Sequence, residues 1–270
     1  MTLYQIYDLS SYIAGKFMSG QAIPPARLNL LAPQVQDEWY QSLLKEVIAA
    51  SVRTDLLDIV LSTTPLKPFK KFADVAITAT GIGPLPTDYN RYIAVFQRVK
   101  ITYSGTTGTI TPHVRPVDIV SETEFARRQG SILTRADAQP FGKITATSLQ
   151  VVPYDIGTIR LEYFRPPATP YMDWCQSAAN PNRIIYMPVG SKLTGTSPTF
   201  DLIMETSSGE QVIEASVTKT GGANGYVSRT VEYEWETMYH EKFVYFMLSK
   251  MGINLSEIEV AKYALEMAKQ

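Results

Sequence analysis

The side chains on which most enzymes rely for proton transfer, metal binding or covalent attack are sparse in this sequence. There are two histidines, His113 between Pro112 and Val114 and His240 near the C-terminal end, and one cysteine, Cys175. A histidine-based zinc site needs Cys or carboxylate partners at ligand spacing, and no Cys-x-x-Cys, His-Glu-x-x-His or His-x-His occurs. A serine nucleophile needs the strained turn that a Gly-x-Ser-x-Gly elbow supplies, and that motif is missing too. Thr80-Gly81-Ile82-Gly83-Pro84 has two of the glycines of a phosphate cradle. Pro84, however, removes an amide donor and no Lys-Ser/Thr follows, so the segment reads as a turn. Gly221-Gly222-Ala223-Asn224-Gly225 reads likewise as a hairpin tip. The strongest remaining constellation is Glu232, Glu234 and Glu236, which alternate with Tyr233 and Trp235. On a strand the three carboxylates share one face and the aromatic rings the other. That pattern fits either an acid pair beside sugar-stacking rings or a solvated acidic face over an aromatic core. The plainer second reading is preferred, so the expectation is a protein that is not an enzyme, with no catalytic, cofactor-binding or metal-ligating residue to assign.

Composition narrows the partners. Twenty-five Lys and Arg against 26 Asp and Glu give a formal charge of -1, so nothing points to an extended basic face built for nucleic acid. Passing contact with DNA stays open if copies gather a few Lys and Arg around a shared lumen. With 45% hydrophobic and 19% charged residues the chain belongs among folded proteins and not among disordered ones. A lone cysteine forms no intrachain disulfide and reads as a small apolar filler. The N-terminus has no basic segment followed by a small-residue cleavage site, and no apolar run reaches membrane-spanning length. These features suggest synthesis in a cytoplasm and no membrane partner.

Three zones position these residues. Ile6, Leu9, Ile13 and Phe17 keep helical spacing up to Gly20, and a second helix carries Val35, Trp39, Leu43 and Val47 on one face with Pro33 in its first turn. Leu56, Leu57, Val60 and Leu61 extend it or form a third helix. From about Asp74 the pattern becomes short β-rich runs: 75–80, 92–103, 144–152, 158–164, 183–187, 200–204, 212–218 and 227–235. Arg160 and Glu162 alternate with apolar neighbours in the fourth run, which marks a half-buried strand. Ser121-Glu122-Thr123-Glu124 has capping-box form and opens a short helix to Gln129, stopped by Gly130. After Trp235, Tyr239, Phe243, Phe246, Met247 and Met251 return to helical spacing. Ser256 to Glu259 then opens a last helix with Ile258, Ala261, Leu265 and Ala268 inward. The expected class is α+β: N- and C-terminal helices forming a bundle, with an antiparallel, sandwich-like β-rich domain inserted. The segments are 1–70 (helical), 71–235 (β-rich, with the short helix near 121–129) and 236–270 (helices packing on the N-terminal part). Proline-rich Thr64–Phe69 and Arg165–Pro170 read as stiff connectors.

Val117 to Arg128, followed by Ser131-Ile132-Leu133 and Pro140, resembles virion proteins of tailed phages that infect Bacteroidetes, including crAss-like phages. Leu85-Pro86-Thr87-Asp88-Tyr89 is similar to that group's Leu-Pro-x-Asp-Tyr turn. Leu149 to Pro153 and Ile159 to Pro170 are similar to its paired strands with a proline-rich exit, and Glu234-Trp235 with Leu248 to Leu255 to its C-terminal helix and turn. The resemblance spans most of the chain from about Leu30. It implies a ring-forming head-to-tail connector or adaptor of the particle neck, located in the virion. As such it would be a cyclic homo-oligomer of about twelvefold order stacked on portal, tail or other neck proteins. The alternative reading is a receptor- or glycan-binding β module of a phage tail, suggested by Trp174, Trp235 and 16 tyrosines. Candidate interaction residues are Trp39, Phe69, Tyr89, Arg127, Arg128, Trp174 and Trp235.

Overall fold

The structure is a computed structural model that describes residues 2–17, 23–51, 65–99, 113–130, 139–154, 156–206 and 209–253. The expected helices around 56–61 and 258–268 lie outside the described residues. The chain divides into two compact units, one made of 69–166 and the other of 1–68 with 167–270. It passes between them within the two proline-rich stretches.

The 69–166 unit is built from strands that alternate. Its strands are β1 (Lys70–Ala76), β2 (Ile82–Pro84), β3 (Arg91–Val99), β4 (His113–Pro116), β5 (Asp118–Ile119), β6 (Phe141–Ile144), β7 (Ser148–Val152) and β8 (Thr158–Phe164). They form two four-stranded sheets, in the orders β1-β8-β3-β4 and β2-β7-β6-β5. All pairings are antiparallel except β5 with β6. In β8, Ile159, Leu161 and Tyr163 point inward while Arg160 and Glu162 are partly exposed, as the alternation requires. The inward residues meet Val75, Val95, Val117, Leu149 and Val151 in one core between the sheets. Each such aliphatic side chain contributes about 1.5–3 kcal/mol on burial. Val117 carries the chain from β4 in one sheet to β5 in the other, its N–H donating to the Val95 carbonyl at 2.8 Å.

Helix α3 (Glu122–Gln129) packs Phe125 against Phe141, ring centres 5.5 Å apart. Ser121 Oγ accepts from Glu124 N–H at 3.3 Å, which is one half of the capping box. The other half does not form, because the Glu124 carboxylate is taken by Arg127 and Arg128.

The second unit combines helices α1 (Leu3–Phe17), α2 (Pro25–Ser51) and α4 (His240–Lys250) with a five-stranded antiparallel sheet. That sheet consists of β9 (Trp174–Ser177), β10 (Ile184–Tyr186), β11 (Ser191–Thr196), β12 (Thr199–Thr206) and β13 (Gly209–Thr218), in the order β10-β9-β13-β12-β11. Cys175, Met187, Leu193, Phe200, Leu202 and Val217 form the sheet's core. Helix α2 begins at Pro25, earlier than a Pro33 in the first turn allows. Pro33 lies inside the helix.

The expected architecture is therefore corrected. The terminal helices do not form a bundle with one β-rich insert. The described residues are mostly β, arranged in three sheets, with four α-helices. The physical cause is a set of bonds that tie residues 168–235 to the helices. Asn29 exchanges two hydrogen bonds with the Met172 backbone (2.9 and 2.8 Å), and Gln36 Nε2 donates to the Ala168 carbonyl at 2.8 Å. Trp235 Nε1 donates to Gln36 Oε1 at 3.2 Å. The run 227–235 is also corrected: it forms isolated bridges, Val227 with Lys192 and Val231 with Tyr171, and no strand.

Candidate functional site

The three glutamates lead back to the fold. Glu232 accepts from the Leu3 backbone N–H in the first turn of α1 and from the Tyr186 hydroxyl. A carboxylate at a helix N-terminus satisfies an otherwise unpaired amide and complements the helix dipole. Thr2 and Gln5 complete that helix start reciprocally, Gln5 N–H donating to Thr2 Oγ1 and Thr2 N–H to Gln5 Oε1. Glu234 Oε2 accepts from the Ala168 N–H at 2.8 Å. Glu236 immediately precedes the short 3-10 turn Thr237–Tyr239. Two of the three carboxylates thus hold distant backbone segments in place, and only Glu236 is without such a bond in the geometry described.

On the other side of that segment Tyr233 and Trp235 are buried, as expected of the aromatic positions. Trp235 packs on Trp39 at 4.3 Å between ring centres, Trp39 on Phe243 at 5.0 Å, and Tyr233 stacks on Phe243 at 4.4 Å. Burial pushes the Tyr233 hydroxyl well above the ordinary tyrosine value. Of the candidate interaction residues, then, Trp39 and Trp235 come together, but inside the protein. Phe69 is also fully buried, with the Arg165 guanidinium 5.5 Å over its ring.

The remaining candidates lie nearer the surface. Tyr89 is half-buried in the Leu85–Tyr89 turn, its Oη accepting from Tyr92 N–H at 3.1 Å. Beside it Asp88 accepts from Lys71 Nζ and from the Tyr163 hydroxyl, each at 2.7 Å. These two donors hold the Asp88 carboxyl below its ordinary value, while burial and Asp88 together raise Tyr163 to about 12. Arg127 is exposed and Arg128 partly so; both bind Glu124, whose carboxyl they lower to about 2. Arg128 also reaches Asp118 at 3.4 Å.

Trp174 is half-buried beside a polar cluster that no sequence motif announced. Asp173, 2% exposed in its side chain, accepts from Lys219 Nζ, from the Tyr226 hydroxyl at 2.9 Å and from the Arg229 N–H at 3.0 Å. Lys219 also donates to the Trp174 carbonyl at 2.7 Å. Burial by itself raises the Asp173 carboxyl, but Lys219, the Arg229 amide and Tyr226 together outweigh it and hold it below its ordinary value. Asp173 immediately precedes β9 while Lys219, Tyr226 and Arg229 lie in the loop after β13, so nothing in local spacing links them.

His240 opens α4, buried, with Nε2 2.9 Å from the Trp235 carbonyl. His113 lies on β4. Burial raises the Cys175 thiol to about 11, the behaviour of an inert filler. Gly81 and Gly83 serve close packing: a Cβ on Gly81, whose φ is +79°, would lie 2.3 Å from Tyr154 Cδ1, and one on Gly83 2.5 Å from Val75 Cγ1. Among the described residues no group of three or more His, Cys, Asp or Glu is placed to hold a metal ion. No described helix is long and apolar enough to cross a membrane.

Several large apolar side chains are exposed, most of them on strands and loops. Phe72 on β1 is 64% exposed, Val212 on β13 56%, and Val227, Val189 and Tyr171 are exposed as well. Arg160 stacks over Phe72 at 4.5 Å and pairs with Asp74 at 3.1 Å, so that face of β1 and β8 is a charged and aromatic surface. Comparison with models of known protein families returns no match, and no curated protein matches the sequence.

Proposed function

We propose that this chain is a structural subunit of a tailed-phage particle, a ring-forming head-to-tail connector or adaptor of the neck that joins portal and tail components. The observation that carries the reading is the disposition of its polar and aromatic side chains. Glu232 and Glu234 are bound to backbone amides, Asp173 is enclosed by four donors counting the Trp174 amide, and Trp39 and Trp235 form a core. Large apolar side chains stand exposed on strands instead. Such surfaces suit burial against other proteins. The buried Trp235 weakens the glycan-binding alternative, because a ring in the core offers no sugar platform. The resemblance of 117–128, 149–153 and 159–170 to virion proteins of Bacteroidetes phages supplies the particular place in the particle.

In this reading the protein is made in the host cytoplasm, incorporated into the virion and active through contacts alone. Imaging of tailed particles with this subunit labelled tests it. Density at the neck, between capsid and tail, is the expected result. Label at the tail tip, or particles that lack the chain, overturns it.

A further inference from the structure

β11 is the last strand of its sheet, yet its outer edge is covered. In an antiparallel strand alternate residues direct their N–H and C=O groups away from the paired side. On β11 those residues are Ser191, Leu193 and Gly195, and the segment 224–228 meets all three. Ser228 N–H donates to the Ser191 carbonyl at 2.8 Å, Leu193 N–H to the Tyr226 carbonyl at 2.9 Å, and Gly225 N–H to the Leu193 carbonyl at 2.7 Å. The fourth bond uses a side chain: Gly195 N–H donates to Asn224 Oδ1 at 3.3 Å.

The two ends of this covering segment are held differently. At one end the Tyr226 hydroxyl and the Arg229 N–H both donate to the buried Asp173. At the other, Asn224 and Gly225 are exposed at the tip of a turn closed by Tyr226 N–H on the Ala223 carbonyl at 3.0 Å, with Gly225 at φ +78°.

That exposed end is the one Asn-Gly pair in a sequence with six asparagines. Glycine has no Cβ to shield its amide nitrogen, so this pairing is the context in which the next amide attacks an asparagine side chain most readily. Both reacting groups are engaged by β11 here, the Asn224 carbonyl oxygen by Gly195 and the Gly225 N–H by Leu193. The attack needs the Gly225 nitrogen to leave Leu193 and turn to Asn224 Cγ.

We propose that Asn224-Gly225 is a deamidation site that β11 keeps closed, and whose conversion releases the covering segment from the outer edge of β11. Hydroxide takes the Gly225 amide proton, and the nitrogen forms a bond to Asn224 Cγ. The Cγ–NH2 bond breaks and ammonia leaves with a proton from water, which gives a five-membered imide. Water then opens the imide at either carbonyl: cleavage at Cγ leaves aspartate, and cleavage at the backbone carbonyl leaves isoaspartate. The net change is amide plus water to carboxylic acid plus ammonia, with no oxidant or reductant. Aspartate keeps the backbone length and an oxygen for Gly195. Isoaspartate lengthens the backbone by one carbon between Ala223 and Gly225, while Tyr226 and Arg229 stay fixed on Asp173. The bonds to Leu193 and Gly195 then no longer fit, and a covered sheet edge becomes an open one. This goes beyond the ring-subunit reading and stands without it.

Ageing of the full chain in mildly alkaline buffer, with and without urea, tests it. Peptide mapping by mass spectrometry follows the gain of about 1 Da at residue 224, with fragmentation that separates isoaspartate from aspartate. Four hydrogen bonds must open for the reaction, so conversion should be at least about tenfold slower in the native protein than in urea. In the converted protein the Gly195 amide should exchange with solvent at least about tenfold faster than in the fresh protein, with 69–166 unchanged. Asn224→Gln should gain no mass there, and Asn224→Asp should keep the Gly195 protection. Equal rates with and without urea, no conversion in either, or isoaspartate protein with intact Gly195 protection overturns the proposal.

Discussion

Replacing Asp173 by Asn probes the cluster most deeply committed to one unit. Asp173 and Lys219 have side chains 2% and 10% exposed, so the substitution leaves an ammonium group with little access to water and an amide NH2 beside it. Removing one partner of a buried ion pair costs about 3–5 kcal/mol, because the surviving charge is left uncompensated. The Tyr226 hydroxyl and the Arg229 amide also lose a charged acceptor, which places the cost in the upper part of that range. Even the low end of that range, about 3 kcal/mol, corresponds to a more than hundredfold drop in the folding equilibrium. All three tryptophans, Trp39, Trp174 and Trp235, belong to the unit that contains this cluster, so urea denaturation followed by tryptophan fluorescence reports on it. The double variant Asp173→Asn/Lys219→Met removes both charges and should recover part of the loss. A loss below about 1 kcal/mol for Asp173→Asn, or a double variant less stable than the single, refutes the reasoning.

Acid titration gives an independent reading: the folded carboxyl of Asp173 lies below its ordinary 3.8, so its stabilisation is present above that pH and is lost as pH falls through the lower folded value. Asp173→Asn should flatten that acid limb. Glu232→Ala removes the acceptor at the start of α1 and should cost about 1–2 kcal/mol by the same fluorescence assay; no change would release Glu232 for chemistry. Gly83→Ala sets a Cβ 2.5 Å from Val75 Cγ1 and 2.9 Å from the Ala76 carbonyl oxygen, and should lower hydrogen-exchange protection across 69–166, whereas intact protection would show that β2 tolerates a side chain there. Ser121→Ala should cost about 1 kcal/mol through the lost cap of α3, read as faster exchange in Glu122–Gln129.

How far the sequence reached depends on the range of the interaction. The alternation of Ile159, Leu161 and Tyr163 with Arg160 and Glu162 locates β8 with its observed bounds, and Ser121 and Gly130 delimit α3, because period and caps are local. The start of α1 was equally legible in Thr2-Leu3-Tyr4-Gln5, a capping-box form overlooked beside the apolar spacing. Strands β9 and β11 carry little pattern: Trp174–Ser177 is four residues long, and Ser191–Thr196 buries only Ser191 and Leu193, with Gly195 interrupting it. Architecture failed where it depended on distance along the chain. Gln36 and Ala168 are 132 residues apart and Leu3 and Glu232 are 229 apart, so no periodicity could show that the strands after Pro170 return to the helices.

The candidate site divides in the same way. Tyr233 and Trp235 were legible as an inward aromatic side, since alternation alone separates them from the glutamates. The roles of those glutamates were not, because each depends on which backbone amide the fold brings to it. Trp39 and Phe69 illustrate the limit of composition: large aromatic residues suit interfaces and cores equally, and only packing distinguishes the two.

Counting the copies in an assembly of the purified chain tests the central claim most directly. Native mass measurement over a range of concentrations should give one dominant closed multiple of the subunit mass, with few open intermediates, because a head-to-tail contact that closes leaves no free edges. A chain that stays monomeric throughout, or that forms only a two-fold dimer, contradicts a ring-forming subunit.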